Sequence, residues 1–97
     1  MDRADFESAA RRDGYTIHTG EIKPNELHKP HVHDFDARLF VLSGAMTLVL
    51  GDDIHTFGPG NFCSVQAGTS HAEQCGADGV RYLAARRSPV ARAAAAE

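Results

Sequence analysis

The chain reads as an all-β domain preceded by one short helix. Short apolar runs rich in Val, Leu, Ile, Phe and Tyr recur from residue 15 onward. Turn signals built on glycine, such as Ser43-Gly44, Gly51-Asp52-Asp53 and Gly58-Pro59-Gly60, separate them at about eight to twelve residues, the spacing of a sandwich or barrel. Helical periodicity is confined to the first fourteen residues.

In that opening segment Phe6, Ala9 and Ala10 fall at i, i+3 and i+4 and give one apolar stripe over residues 2–12. Asp2 or Asp5 can cap the helix and Gly14 can stop it. Such a helix is expected to lie across the outside of the main body or against a second subunit. Residues 15–21 form the first candidate strand. Residues 23–30 hold two prolines and Asn25 and read as an irregular connection. Further strands are expected at 38–42, 46–50, 54–57, 62–65, 71–75 and 80–85, with 67–70 and 76–79 as connections. After Pro89 the alanine-rich end is too short to hold a helix unaided, and a flexible tail is expected. The division is thus 1–14 helix, 15–87 a single barrel domain and 88–97 tail.

At 97 residues the chain is one small domain, of a size that buries a modest share of its surface. Residues 39–42 are apolar on both strand faces, so the outer face must meet another sheet, the helix or a second copy, and a homodimer is expected. A net charge of −3 and the lack of a basic stripe argue against nucleic acid as a partner. The start lacks the pattern of a secretory signal, and no apolar run approaches the roughly 20 residues that span a bilayer. No membrane partner and a cytoplasmic location are expected. Cys63 and Cys75 form no short-spaced motif. A hairpin centred near Thr69 would set them opposite each other and permit a disulfide, whereas a reducing compartment favours two free thiols.

The chemistry is concentrated in histidine. His31 and His33 stand two apart, so on an extended strand their imidazoles project from one face. A third imidazole from His71 would complete three ligands and leave a coordination position open, as in a catalytic or ligand-binding metal site. Neutral imidazole suits several divalent transition metals, among them Zn, Fe, Ni and Mn, and does not choose between them. His28 is a reserve imidazole; His18 and His55 read as surface residues.

These residues and turns resemble the two motifs of the cupin family. The first motif runs His-x-His, then a glutamate, then a glycine; His31, His33 and Gly44 match it. The second runs from a glycine through Pro-x-Gly to a histidine and an asparagine; Gly60, Gly68 and His71 match it. The resemblance covers about residues 24–85 and implies a jelly-roll β-barrel with a metal inside it. Three positions depart from the pattern. The motif glutamate is Ala37, the motif proline is Gln66 and the motif asparagine is Cys75. Asp36 is a carboxylate one place early, aimed at the other face unless a bulge re-aims it. Glu73 and Cys75 share the strand face of His71 and would look into the barrel. Asp36 or Glu73 is therefore a candidate fourth ligand or acid/base, and Cys75 a candidate pocket residue.

The resemblance implies a range of chemistry, including oxygenase, isomerase and decarboxylase reactions, on a small-molecule ligand. A non-catalytic module binding a small molecule or a metal is the alternative, and a metal-free barrel a third.

Overall fold

The structure is a computed structural model that describes residues 1–89; the expected tail from residue 90 onward lies outside the described residues. Helix α1 (Arg3–Arg12) starts where expected, with Asp2 at its N-cap accepting a hydrogen bond from the Asp5 amide at 2.8 Å. Six strands follow: β1 (Thr16–Ile22), β2 (Leu27–His31), β3 (Asp36–Leu50), β4 (Asp53–Phe57), β5 (Phe62–Val65) and β6 (His71–Arg87). All pairings are antiparallel. No described helix is long and apolar enough to cross a membrane.

The two long strands organise the rest. β3 and β6 pair with each other, from Asp36 opposite Arg87 to Val49 opposite Ala72. β1 and β2 run in succession along the free edge of β6, and β5 and β4 along the free edge of β3. Each of the four ribbons therefore has an upper and a lower half. Hydrogen bonds among the described residues do not close the sheet into a ring.

Three local expectations are revised. Residues 27–31, read as part of a proline-broken connection, form β2, because Pro30 sits at a pairing irregularity where no ladder donor is needed. Ser43-Gly44 is not a hairpin turn, and 76–79 is not a break between strands, since β3 and β6 run through both. Instead, four residues, 76–79, lie opposite the single residue Ala45, between the Gly44–Val80 and Met46–Cys75 pairs. Backbones pass closely at this point. Gly44 has φ of 77°, and a Cβ there would lie 2.1 Å from the Gly79 carbonyl oxygen. By contrast, the turn at Gly51 holds: Leu50 pairs with Asp53 across a two-residue loop.

Strand alternation sorts the core into two layers. Leu39, Val41, Met46, Val80 and Ala84 pack with Ile22 on the inner face. Phe40, Leu83 and Ala85 face outward and pack with Phe6, Ala10 and Tyr15. The Phe6 and Phe40 rings stack with centroids 5.0 Å apart. Helix α1 thus covers the outer apolar face, and that face needs no second subunit to bury it. Tyr15 is held between two guanidinium groups, Arg38 at 4.3 Å and Arg87 at 4.5 Å. Arg38 donates to the Asp13 carboxylate at 2.9 Å, and this hydrogen bond holds the Asp13 carboxyl below its ordinary range. Arg87 donates to the Asp13 carbonyl at 2.6 Å, so the end of α1 is tied to two strands.

Cys63 and Cys75 are free thiols, and each packs against the inner core layer. The hairpin that would have set them opposite each other does not form, since Cys63 pairs with Leu39 and Cys75 with Met46, both on β3. Burial, followed by the nearby negative charge of Glu73, pushes the Cys63 thiol up to about 12, which makes it a poor nucleophile at neutral pH.

Two stability outcomes follow from this packing. Gly44→Ala must cost more than the roughly 1–2 kcal/mol of a left-handed backbone alone, because the new methyl group meets backbone. Chemical denaturation checks this; an unchanged unfolding midpoint would contradict the close approach. Phe6→Ala empties a site that is 2% exposed and should lower stability by about 3 kcal/mol. A loss below about 1 kcal/mol in the same measurement would mean that α1 is not part of the core.

Candidate metal centre

The geometry of the site starts from one irregularity in the β2–β6 ladder. His28 pairs with Glu73 and His31 pairs with His71, so Lys29 and Pro30 together lie opposite Ala72. Without that extra residue His28 and His31, three apart, would point to opposite faces. The bulge turns His31 to the same side as His28, and both line one cavity with His71 and Glu73. His33 lies just beyond the end of β2, in the loop to β3, two residues from His31 and on the same side.

The three histidines named by the sequence converge. One ring nitrogen from each of His31, His33 and His71 lies within 4.8 Å of the others. The His31 and His71 ring centroids are 4.3 Å apart, and those of His31 and His33 are 4.7 Å apart. Two rings are oriented by the backbone. Nδ1–H of His31 donates to the Lys29 carbonyl at 2.6 Å, and Nδ1–H of His71 donates to the Thr69 carbonyl at 2.9 Å. Each bond fixes the tautomer and leaves Nε2 as the free acceptor, the arrangement a metal-ligating histidine needs. The third ring, His33, stacks on Phe35 at 4.5 Å. Burial, then the neighbouring His31 and His71, hold His33 below the ordinary imidazole range and so favour its neutral form.

The carboxylates divide sharply. Glu73 is 8% exposed and aims into the cavity. Its Oε1 lies 3.3 Å from Nε2 of His71 and 3.7 Å from Nε2 of His31, and its Oε2 lies 3.2 Å from Nδ1 of His28. His28 reaches on to the exposed Glu26 at 3.0 Å. Asp36 is buried too, but elsewhere. Its carboxylate accepts from the Ala67 amide at 3.0 Å and faces Arg87 at 3.4 Å. The bulge lies in β2, not at Asp36, so strand alternation turns Ala37 to the cavity and Asp36 away from it. Cys75 also lies outside the cavity lining. Its thiol donates to the carbonyl of Lys23 at 2.9 Å, among residues of the inner core.

The cavity itself holds about 190 Å³. Its apolar wall is Phe35, Ala37, Leu39, Val65 and Ala84; its polar groups are the four histidines, Glu73, Tyr82 and Arg86. Tyr82 and Arg86 carry no motif spacing, and only their alternation with Ala84 along β6 could have marked them. Gly20 pairs with Tyr82, and a Cβ at Gly20 would come within 2.5 Å of the Tyr82 ring. The missing side chain is the space in which that ring lies. Burial, then the Glu73 charge, push the Tyr82 phenol up, so it stays a proton donor at neutral pH.

Three imidazoles with free Nε2 or neutral rings, a carboxylate at their edge and an apolar chamber beside them fit a divalent transition metal better than a buried charge cluster. No curated protein matches the chain. Among solved structures, the chain is similar to the polyketide cyclase RemF from Streptomyces resistomycificus, with 29% identity and a TM-score of 0.66 over 74% of this chain and 53% of that one. It is also similar to KdgF from Halomonas sp., with 16% identity and a TM-score of 0.68 over 74% and 68%. The DMSP lyase DddQ from Ruegeria pomeroyi DSS-3 aligns with 19% identity and a TM-score of 0.72, over 80% of this chain and 40% of that one. The last two establish fold alone. The family model described as Cupin domain matches residues 18–84, which spans both motifs, all of β3 and most of β6. The chain belongs to the cupin family.

Proposed function

We propose that this cupin holds one divalent transition-metal ion on His31, His33 and His71 and acts on a small molecule in the adjoining cavity. The observation that carries the reading is the convergence of three ring nitrogens within 4.8 Å, two of them on rings whose Nδ1–H groups are tied to backbone carbonyls. A bound ion would supply Lewis acidity or an activated water. The ion is Zn, Fe, Ni or Mn; imidazole ligands do not select among them.

The remaining work falls to this chain's own side chains. Glu73 lies against two of the ligand rings and is the fourth ligand or the acid/base of the site. It takes the place that the family motif gives to a carboxylate on β3, where this chain has Ala37. His28 hydrogen-bonds the other oxygen of Glu73 and orients it. Tyr82 offers a protonated hydroxyl, and Phe35, Leu39 and Val65 keep the chamber poor in water. Enzymatic turnover is the reading we favour, and the cyclase RemF is a precedent at 29% identity for a reaction in such a barrel. A non-catalytic binding module would share the metal but show no turnover.

Elemental analysis of protein reconstituted with zinc should find about one ion per chain. His71→Ala and His31→Ala should each weaken retention by more than the roughly 10–100-fold typical of losing an outer-shell partner alone. Full retention in both variants would exclude the site. The lowered value of His33 sets a pH dependence for the metal-free protein. An unfolded histidine takes up its proton near pH 6.5, and the folded one only at lower pH. The folded state is therefore favoured fully above that value and loses the contribution as pH falls through the lowered folded value. Thermal unfolding of metal-free protein should show a midpoint that drops from pH 7 to pH 5, with a shallower drop in His33→Gln. Equal slopes in the two proteins would remove His33 from that account.

A further inference from the structure

Arg86 is the one cavity residue that neither the histidine centre nor the core explains. Its guanidinium lies over the Phe35 ring at 5.0 Å, and Phe35 in turn stacks on His33, so a cation is held at the cavity wall beside a proposed ligand. Neighbouring arginines have partners: Arg38 pairs with Asp13 and Arg87 with Asp36. Among the described residues no carboxylate forms an ion pair with Arg86. Glu73, the acidic residue of the cavity, lies instead beside His28, His31 and His71, with its hydrogen bond to His28.

The arrangement along β6 gives this cation a direction. Residues 82, 84 and 86 share one strand face, and all three line the cavity. Ala84, between the other two, presents only a methyl group. Tyr82 and Arg86 are thus about 13 Å apart along the strand, with an apolar floor between them. A cavity of roughly 150 Å³ is enough for benzene. The volume here, about 190 Å³, admits a body of that size with one polar group.

We propose that the small molecule is an organic acid and that Arg86 receives its carboxylate. The inference rests on the metal reading above for the position of the reacting end, which would lie toward the histidines. A single planar guanidinium presents two parallel N–H donors, which match a carboxylate. Phosphate sites more often gather several cations or a run of backbone amides, whereas among the described residues lining this cavity Arg86 is the one arginine or lysine. The charge balance points the same way. A dication on neutral imidazoles plus Arg86 exceeds the one negative charge of Glu73, so the cavity is complementary to an anion.

Isothermal titration calorimetry with benzoate and propanoate, each against its primary amide, tests this. It is run on zinc-loaded and on metal-free protein, for the wild type, Arg86→Gln and Arg86→Lys. Thermal unfolding confirms that the variants are folded, as expected for an exposed side chain. Wild-type protein should bind the acids at least about tenfold more tightly than the amides. Arg86→Gln should lose about tenfold or more in acid affinity with its zinc content unchanged, and Arg86→Lys should keep part of it. The proposal is overturned if Arg86→Gln binds acids like the wild type, if amides bind as well as acids, or if no acid binds the wild type up to about 10 mM. If zinc does not load but Arg86→Gln still weakens acid binding by the metal-free protein, the metal reading fails and Arg86 stands. If zinc loads and the substitution has no effect, the reverse holds.

Discussion

Two backbones pass each other at Gly44 and Gly79 with no side chain between them, and the architecture hangs on that crossing. A Cβ on Gly44 would meet the Gly79 carbonyl, and a Cβ on Gly79 would lie 2.8 Å from the Ile22 carbonyl. Three ribbons, ending β1, crossing β6 and crossing β3, are therefore brought together by glycine. β3 and β6 stay paired on both sides of the crossing because residues 76–79 absorb the mismatch opposite Ala45. The other strands are shorter and attach to one half or the other. β1 and β5 pair with the halves that meet α1, while β2 and β4 pair with the opposite halves. A larger residue at 44 would separate the two halves rather than perturb a loop.

The lower half carries a second backbone device, and it concerns chemistry rather than packing. Strand alternation alone would place His28 and His31 on opposite faces. The extra residue at Lys29-Pro30 reverses the face for everything that follows it. Proline suits that position, since a bulged residue is not asked to donate to the ladder. Lys29 also supplies the carbonyl that accepts from His31 Nδ1–H, so the bulge both turns the ring and fixes its tautomer. Across the strand, Thr69 does the same for His71 from the turn before β6. Two carbonyls, each two residues before its histidine, thus preset two of the three converging rings without any side chain dedicated to the task.

What the sequence made legible follows from which signals are local. His31, His33 and His71 could be named because motif spacing survives any detail of bending. The helix could be named because Phe6, Ala9, Ala10 and Asp2 lie within one or two turns of one another. β2 was missed because two prolines dominate residues 23–30, while the pairing that makes it a strand comes from residues 71–74. Ser43-Gly44 looked like a turn because a glycine with positive φ looks the same in a hairpin and in a bent strand. The partition of Asp36 from Glu73 depends on the bulge beside the site falling in β2 and not at Asp36, and no composition rule locates it. Tyr82 and Arg86 were invisible for a further reason. Their part in the cavity comes from a neighbouring glycine and a neighbouring phenylalanine, each distant in sequence.

The origin of the carboxylate has a physical consequence of its own. A motif glutamate on β3 would enter the site from the strand that carries Ala37, with apolar Leu39 and Val65 beside it. Glu73 enters from β6, directly opposite His28. It is therefore joined through His28 to Glu26, which is exposed, by contacts of 3.2 and 3.0 Å. The buried acid thus has a polar partner whose other ring nitrogen leads on to the surface. That lowers the cost of keeping a carboxylate within an apolar chamber, where an unpaired charge would be strongly disfavoured. It also leaves Arg86, the arginine of the cavity, without an ion pair to Glu73. With alanine on β3 and glutamate on β6, the carboxylate of the chamber lies on the His28 side and the guanidinium of Arg86 on the Phe35 side.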